Sequence, residues 1–257
     1  MTARAGKART VICVSADAAG AYAAAEVVAS LNQVLAVRQR ARLLLSTGES
    51  QFEVLRRLVR ADVDWDRVDA FHLDEYVGLP EGHPASFRRY LSERVADIVA
   101  VHMHFVDPSS EAGLADLAAA VAESPMDVAL VGVGENGHIA FNDPPADLET
   151  AEPYIVVELD EACRAQQVLE GWFATTGGVP ARAVTMSVRE ILRALRVVSV
   201  VPHAAKAQAV RRLLSAEGVS ADLPASALLE HGDWCLVLDR ESAQALTAEV
   251  WKQCVVL

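Results

Sequence analysis

The chain has 257 residues, 52% of them hydrophobic, with 23 lysines and arginines against 35 aspartates and glutamates and a formal net charge of −12. That length and apolar content suffice for one large α/β domain over residues 1–257, and no linker, low-complexity tract or solenoid-period repeat divides it. The acidic balance argues against a nucleic-acid partner, since such binding rests on neutralising phosphates; four scattered cysteines without C-x-x-C spacing, and an N-terminus with too short an apolar run for a signal peptide or membrane span, point to a reduced, cytoplasmic protein.

Thr10 to Ser15 reads as a strand and Ala18 to Arg38 as a helix with Val27, Leu31, Val34 and Leu35 near one face. A second strand, Arg42 to Leu45, ends in Ser46-Thr47-Gly48-Glu49-Ser50, after which Phe52, Leu55 and Val59 recur at helical spacing. A small-residue turn between strand and helix is an anion site, because free backbone N–H groups face outward there; the plainer alternative is a helix cap at Ser50. Val68 to Leu73 is a third strand running into Asp74-Glu75. Adjacent side chains of an extended segment point apart, so only one of these acids faces a given ligand, and the plainer alternative is a solvated acidic loop. Pro84 opens a helix over HPASFRRYLSERVADIV, with Phe87, Leu91, Val95 and Ile98 on one stripe. Val101 to Val106 is a fourth strand carrying His102 and His104 on one face; without a third ligand at matching spacing, no metal site is expected.

After a helix from Ser110 to Ala122, Val128 to Val133 has the β-branched apolar character of a strand buried on both faces. Gly132, Gly134 and Gly137 follow and spell G-x-G-x-x-G. A dinucleotide site is excluded, because His-Ile-Ala-Phe-Asn-Asp-Pro-Pro comes next and residues before proline avoid the helical region. The glycines instead place His138 at a strand's end. Further on come strands Tyr154 to Leu159, Ala183 to Met186, Arg196 to Val201 and Trp234 to Leu238, helices Glu161 to Leu169 and Val188 to Leu195, a helix carrying Lys206, and a terminal helix. The alternation predicts an α/β, Rossmann-like fold, a mostly parallel sheet with helices on both faces and ligands outside the carboxyl ends of the strands. Ser46 to Ser50, Asp74-Glu75, Gly134 to Asp143 and His203 to Lys206 would then share one edge. Lysine occurs only as Lys7, Lys206 and Lys252, which makes Lys206 conspicuous.

On these residues the chain resembles the glucosamine-6-phosphate deaminase family. FHLDEYVGLPEGHPASFRRYL is similar to that family's M-D-E-Y-V-G-L segment and the H-P-x-S helix after it, and VGVGENGHIAFNDP to its G-V-G-x-D-G-H-I-A-F-N-E-P segment. LSTGESQ resembles its phosphate loop and VPHAAKAQAV its lysine-containing segment, so the likeness runs nearly the whole length. The resemblance implies isomerisation with deamination of an amino sugar phosphate, needing neither metal nor organic cofactor, in a family with monomeric and homo-oligomeric members. Carried onto this chain, Asp74 is the base moving a proton between C1 and C2, and His138 opens the sugar ring. Asn136 and Asp143 accompany His138, Glu75 supports the loop, and Ser46, Thr47, Gly48, Glu49, Ser50, Gly137 and Lys206 hold the substrate and its phosphate.

Several positions depart from the family pattern. Asn136 stands for Asp, removing charge from the group expected to orient His138, and Asp143 stands for Glu, one methylene shorter. Glu49 stands for Gly in the phosphate loop, and a phosphate-binding arginine aligns with Leu169, with Arg164 nearby. Two other functions fit the same cluster: a lactonase-type hydrolase using His138, with Asp74 and Glu75 idle, and a non-catalytic sugar-phosphate sensor.

Overall fold

The computed structural model describes residues 9–96, 98, 102–169 and 171–257. In chain order it runs β1 (Arg9–Cys13), α1 (Ala16–Leu35), β2 (Ala41–Leu45), α2 (Phe52–Leu58), β3 (Val68–His72), β4 (Asp74–Tyr76) and α3 (Phe87–Arg94). Then follow β5 (Met103–His104), α4 (Glu111–Glu123), β6 (Val128–Leu130), β7 (Tyr154–Glu158), α5 (Glu161–Leu169) and β8 (Arg182–Met186). The chain closes with α6 (Val188–Leu192), β9 (Val197–Val201), α7 (Ala207–Leu214), β10 (Trp234–Asp239), α8 (Ala248–Trp251) and β11 (Val255–Val256).

Eight strands form one parallel sheet in the order β11-β1-β10-β9-β6-β2-β3-β5. The central strands are rich in apolar residues because both faces are covered. Leu44, Ala129 and Leu236 pack into one core, while Leu43, Leu45, Leu130 and Val237 pack into the other. Helices start where the sequence supplies a cap: Ser15, Ser86, Ser110, Ser187 and Thr247 accept hydrogen bonds from backbone N–H groups in the first turns of α1, α3, α4, α6 and α8.

The sequence reading missed a second sheet. β7 and β8, expected in the parallel sheet, form an antiparallel sheet with β4 in the order β4-β8-β7. A period-two apolar pattern marks a strand but not the sheet it joins. Leu73 is the junction. Its N–H donates to Leu45 O of the large sheet, and its carbonyl accepts from Met186 N at the end of β8. Asp74 therefore begins a new strand, directly beyond the carboxyl edge of the parallel sheet. An aromatic cluster of Tyr76, Phe87, Phe141 and Phe173 fills the space around the small sheet.

Other boundaries moved as well. The helix expected from Pro84 starts only after the Ser86 cap and ends at Arg94, with Val95 and Ile98 still buried; part of its expected end lies outside the described residues. The expected strand Val101 to Val106 is reduced to β5, where His104 stacks on Phe71 at 4.5 Å. The terminal helix is one turn, α8, before β11 adds to β1.

Candidate active site

Four segments leaving the carboxyl ends of β2, β3, β6 and β9 line a single cavity of about 320 Å³. Ser46 to Ser50, Asp74, Gly134 with His138, and His203 with Lys206 all border it, together with Phe87, Phe141 and three residues from α5 and its end, Gln166, Gln167 and Trp172.

Asp74 is 5% exposed, and its Oδ1 has no hydrogen-bond partner among the described residues. Burial pushes its carboxyl well above the usual carboxylate range, and the neighbouring Glu75 charge adds to the shift. Glu75 points the other way, as alternation along β4 requires. Its Oε1 accepts from Tyr76 N at 2.9 Å and Phe87 N at 3.2 Å, and its Oε2 from Ser86 Oγ and Arg88 N, each at 2.8 Å. Glu75 is thus spent on joining β4 to the first turn of α3. His72, the last residue of β3, is fully buried, and burial pushes its imidazole pKa down to about 3.

The Gly134–Asp143 loop folds back on itself, with Gly134 N donating to His138 O and Gly137 N to Gly134 O. The His138 ring lies over Gly134, where a Cβ would fall 2.2 Å from Nε2. Gly137 has φ +93° and packs against Leu223, so it shapes the loop and does not line the cavity. Asn136 and Asp143 lie behind the imidazole. Asp143 Oδ1 is 2.9 Å from His138 Nδ1, with the N–H direction off the ideal line, and 2.9 Å from Asn136 Nδ2. Asn136 Oδ1 accepts from His138 N. The expectation for Asn136 is corrected here: the group beside the imidazole is Asp143, so asparagine at 136 leaves the histidine's carboxylate partner in place. Burial pushes the Asp143 carboxyl up, but His138 and the Asn136 amide outweigh it and hold the carboxyl below its usual value.

At the other end, Ser46 is 2% exposed with an Oγ that has no partner among the described residues, and the Tyr90 hydroxyl pins the loop through Gly48 O at 2.8 Å. Glu49 is exposed and opens a 3-10 turn leading into α2. The Lys206 Nζ lies 3.8 Å from Glu135 Oε1, with side-chain exposures of 15% and 45%. Leu169 is 87% exposed and outside the cavity, as is Arg164, so α5 presents glutamines there and no arginine. Two lining residues, Ala140 (φ 54°) and His203 (φ 78°), hold left-handed backbone conformations that favour glycine. His203, Asp239 and Glu241 bring ligand-type atoms within 4.8 Å, but Asp239 is already committed to His203 N and Ser242 N.

The match of fold and motifs extends to proteins of known kind. Residues 14–236 match the family described as glucosamine-6-phosphate isomerases/6-phosphogluconolactonase. The chain belongs to this family. It is 34% identical over 213 residues to a glucosamine-6-phosphate deaminase of Exiguobacterium sibiricum, covering 80% of this chain and 81% of that protein. It is 32% identical to a glucosamine-6-phosphate deaminase of Streptococcus pneumoniae, covering 79% and 86%. Among solved structures, a monomeric glucosamine-6-phosphate deaminase superposes with a TM-score of 0.83 at 27% identity, over 92% of this chain and 99% of that one. A 6-phosphogluconolactonase from Trypanosoma brucei shares the fold, with a TM-score of 0.76 at 18% identity over 94% and 100%.

The α5 wall was absent from the sequence reading. Gln166 and Gln167 sit on a helix whose polar residues look like ordinary solvent-facing ones, so no local signal separates them. The only sequence hint is Gly171-Trp172-Phe173 just beyond, a bulky apolar pair after a glycine that ends the helix.

Proposed function

We propose that the protein isomerises and deaminates an amino sugar phosphate, glucosamine 6-phosphate or a close relative, to the ketose phosphate and ammonia. The observation that carries this reading is that Asp74 and His138, from different strand ends, border one cavity, with Asp143 2.9 Å from the imidazole and Glu75 committed to the first turn of α3. His138 relays the proton of the C1 hydroxyl to the ring oxygen as the bond between C1 and the ring oxygen breaks, which leaves the C1 aldehyde. Asp74 takes the proton from C2 as O1 gains one, giving an enolamine, and returns the proton to C1 as the amino nitrogen gives one up, which leaves an imine at C2. Water then adds to C2 and ammonia leaves, so one C–N bond is hydrolysed. A buried carboxyl with a raised pKa suits that shuttle, because it binds and releases a proton more evenly than a solvated carboxylate does.

For the phosphate, the Ser46–Ser50 backbone and Lys206 supply donors and one positive charge. Glu49, being exposed, can turn to solvent without contesting that anion. The test is ammonia release from a panel of phosphorylated and free amino sugars, with 6-phosphogluconolactone as the hydrolase control. Release from glucosamine 6-phosphate, abolished in Asp74→Asn, supports the reading. Lactone hydrolysis that survives Asp74→Asn, without ammonia release from any amino sugar, would replace it.

A further inference from the structure

Gln167 is 93% buried by its 7% relative exposure, yet it borders the cavity. Its Oε1 accepts from the Tyr76 hydroxyl at 2.7 Å. Tyr76 is itself fully buried, fixed between Phe87 and Phe141 with ring centroids 5.1 Å away and Phe173 at 5.5 Å. An amide has one acceptor end and one donor end, so a hydroxyl donating to Oε1 commits the orientation and leaves the Nε2 hydrogens for the opposite side. No hydrogen bond from that Nε2 occurs among the described residues. The open space this side chain borders is the cavity.

We propose that Gln167 is a specificity-determining substrate contact, its amide N–H donating to a sugar oxygen while the Tyr76 hydroxyl locks the acceptor end. This rests on the amino-sugar-phosphate reading above and names a residue of the same site that recognises the sugar. Asp74 Oδ1 and Ser46 Oγ are buried atoms of the cavity wall without a hydrogen-bond partner among the described residues, and the nearly buried Gln167 has an Nε2 that donates to none of those residues. Each is a polar atom taken largely out of water, a state that costs free energy until a ligand atom satisfies it. Gln167 differs from the other two in offering only donors, so it calls for an acceptor on the substrate. It is also neutral, which matters where Glu135 already lies 3.8 Å from the Lys206 ammonium. A site that hydrogen-bonds a substrate oxygen discriminates against analogues lacking that oxygen, because its own donor is then left unpaired.

The test compares wild type, Gln167→Met, Gln167→Glu and Tyr76→Phe on glucosamine 6-phosphate and its 3-deoxy and 4-deoxy analogues, by kcat/KM and by calorimetric Kd. Gln167→Met should lower kcat/KM on the parent by about 10- to 100-fold, the usual consequence of leaving one buried polar group unpaired. One deoxy analogue, lacking the partner oxygen, should be handled equally by variant and wild type. Gln167→Glu keeps an acceptor for Tyr76 but removes the donor, and should lose at least as much as the methionine variant. Tyr76→Phe frees the amide to rotate and should show a smaller loss on the same oxygen. An equal proportional loss on all three sugars, or no loss in Gln167→Met and Gln167→Glu, would overturn the proposal. If the wild type binds the parent in a Gln167-dependent way but releases no ammonia, the contact stands and the deaminase reading falls. A parent sugar that neither binds nor reacts overturns both.

Discussion

Glu75→Gln separates the support of the site from its chemistry. Each Glu75 oxygen accepts two hydrogen bonds, Oε1 from Tyr76 N and Phe87 N and Oε2 from Ser86 Oγ and Arg88 N, and the side chain is fully buried. A glutamine amide must turn its NH2 toward one of these pairs. The better choice is the Oε2 side, where the Ser86 hydroxyl can rotate to accept, but Arg88 N cannot and would face another donor. At least one hydrogen bond to a carboxylate is lost, worth about 1.5–3 kcal/mol, and a buried N–H is left unpaired at about 1–3 kcal/mol. Allowing for overlap between these costs, urea denaturation at pH 7 should show a loss of about 2–4 kcal/mol. The same variant removes the charge that helps raise the Asp74 pKa. Because a general base must be deprotonated to act, kcat/KM rises with pH through that pKa, and the acid limb should move to lower pH in Glu75→Gln. A stability loss under about 1 kcal/mol together with an unmoved acid limb would refute this account of Glu75.

Asp74→Asn should cut turnover at least about 100-fold while raising stability at neutral pH. The folded pKa of Asp74 lies above its unfolded value, so the native state holds the extra proton, and stability falls as pH climbs from about 4 through the raised folded pKa; asparagine escapes that loss, which urea melts at pH 4 and pH 8 would reveal. Asp143→Asn should lower kcat by about 100-fold or more through misorientation of His138, with KM little changed in steady-state assays. The lowered Asp143 pKa contributes stability that is present above the unfolded carboxylate pKa and lost as pH falls through the folded one, so the wild-type advantage over Asp143→Asn should shrink in acid melts. Lys206→Met should raise KM for a sugar 6-phosphate by roughly 10- to 100-fold and leave the unphosphorylated parent unaffected; equal effects on both sugars would remove Lys206 from phosphate recognition.

The parallel sheet and its ligand edge were legible because they rest on local signals. Buried strands such as Leu43–Leu45 and Val128–Leu130 are unbroken apolar runs, and soon after them the chain changes to glycine, serine, histidine or acid. What the sequence could not carry were choices made by distant partners. β7 and β8 look like any other strands, and only the turn of the chain at Leu73 decides that they pair with β4. Asn136 and Asp143 are seven residues apart, and loop closure alone settles which of them stands beside the imidazole. Gln167 gains its meaning from Tyr76, 91 positions away in sequence.

The measurement closest to the central claim is proton exchange at C2. Glucosamine 6-phosphate incubated with the protein in D2O should incorporate deuterium during conversion, with fructose 6-phosphate and ammonia appearing together by NMR and enzymatic assay. In Asp74→Asn both exchange and product should fall together, since one carboxylate is held to move that proton. Exchange at the wild-type rate in Asp74→Asn, or ammonia release from the wild type without any C1–C2 proton movement, would contradict the account.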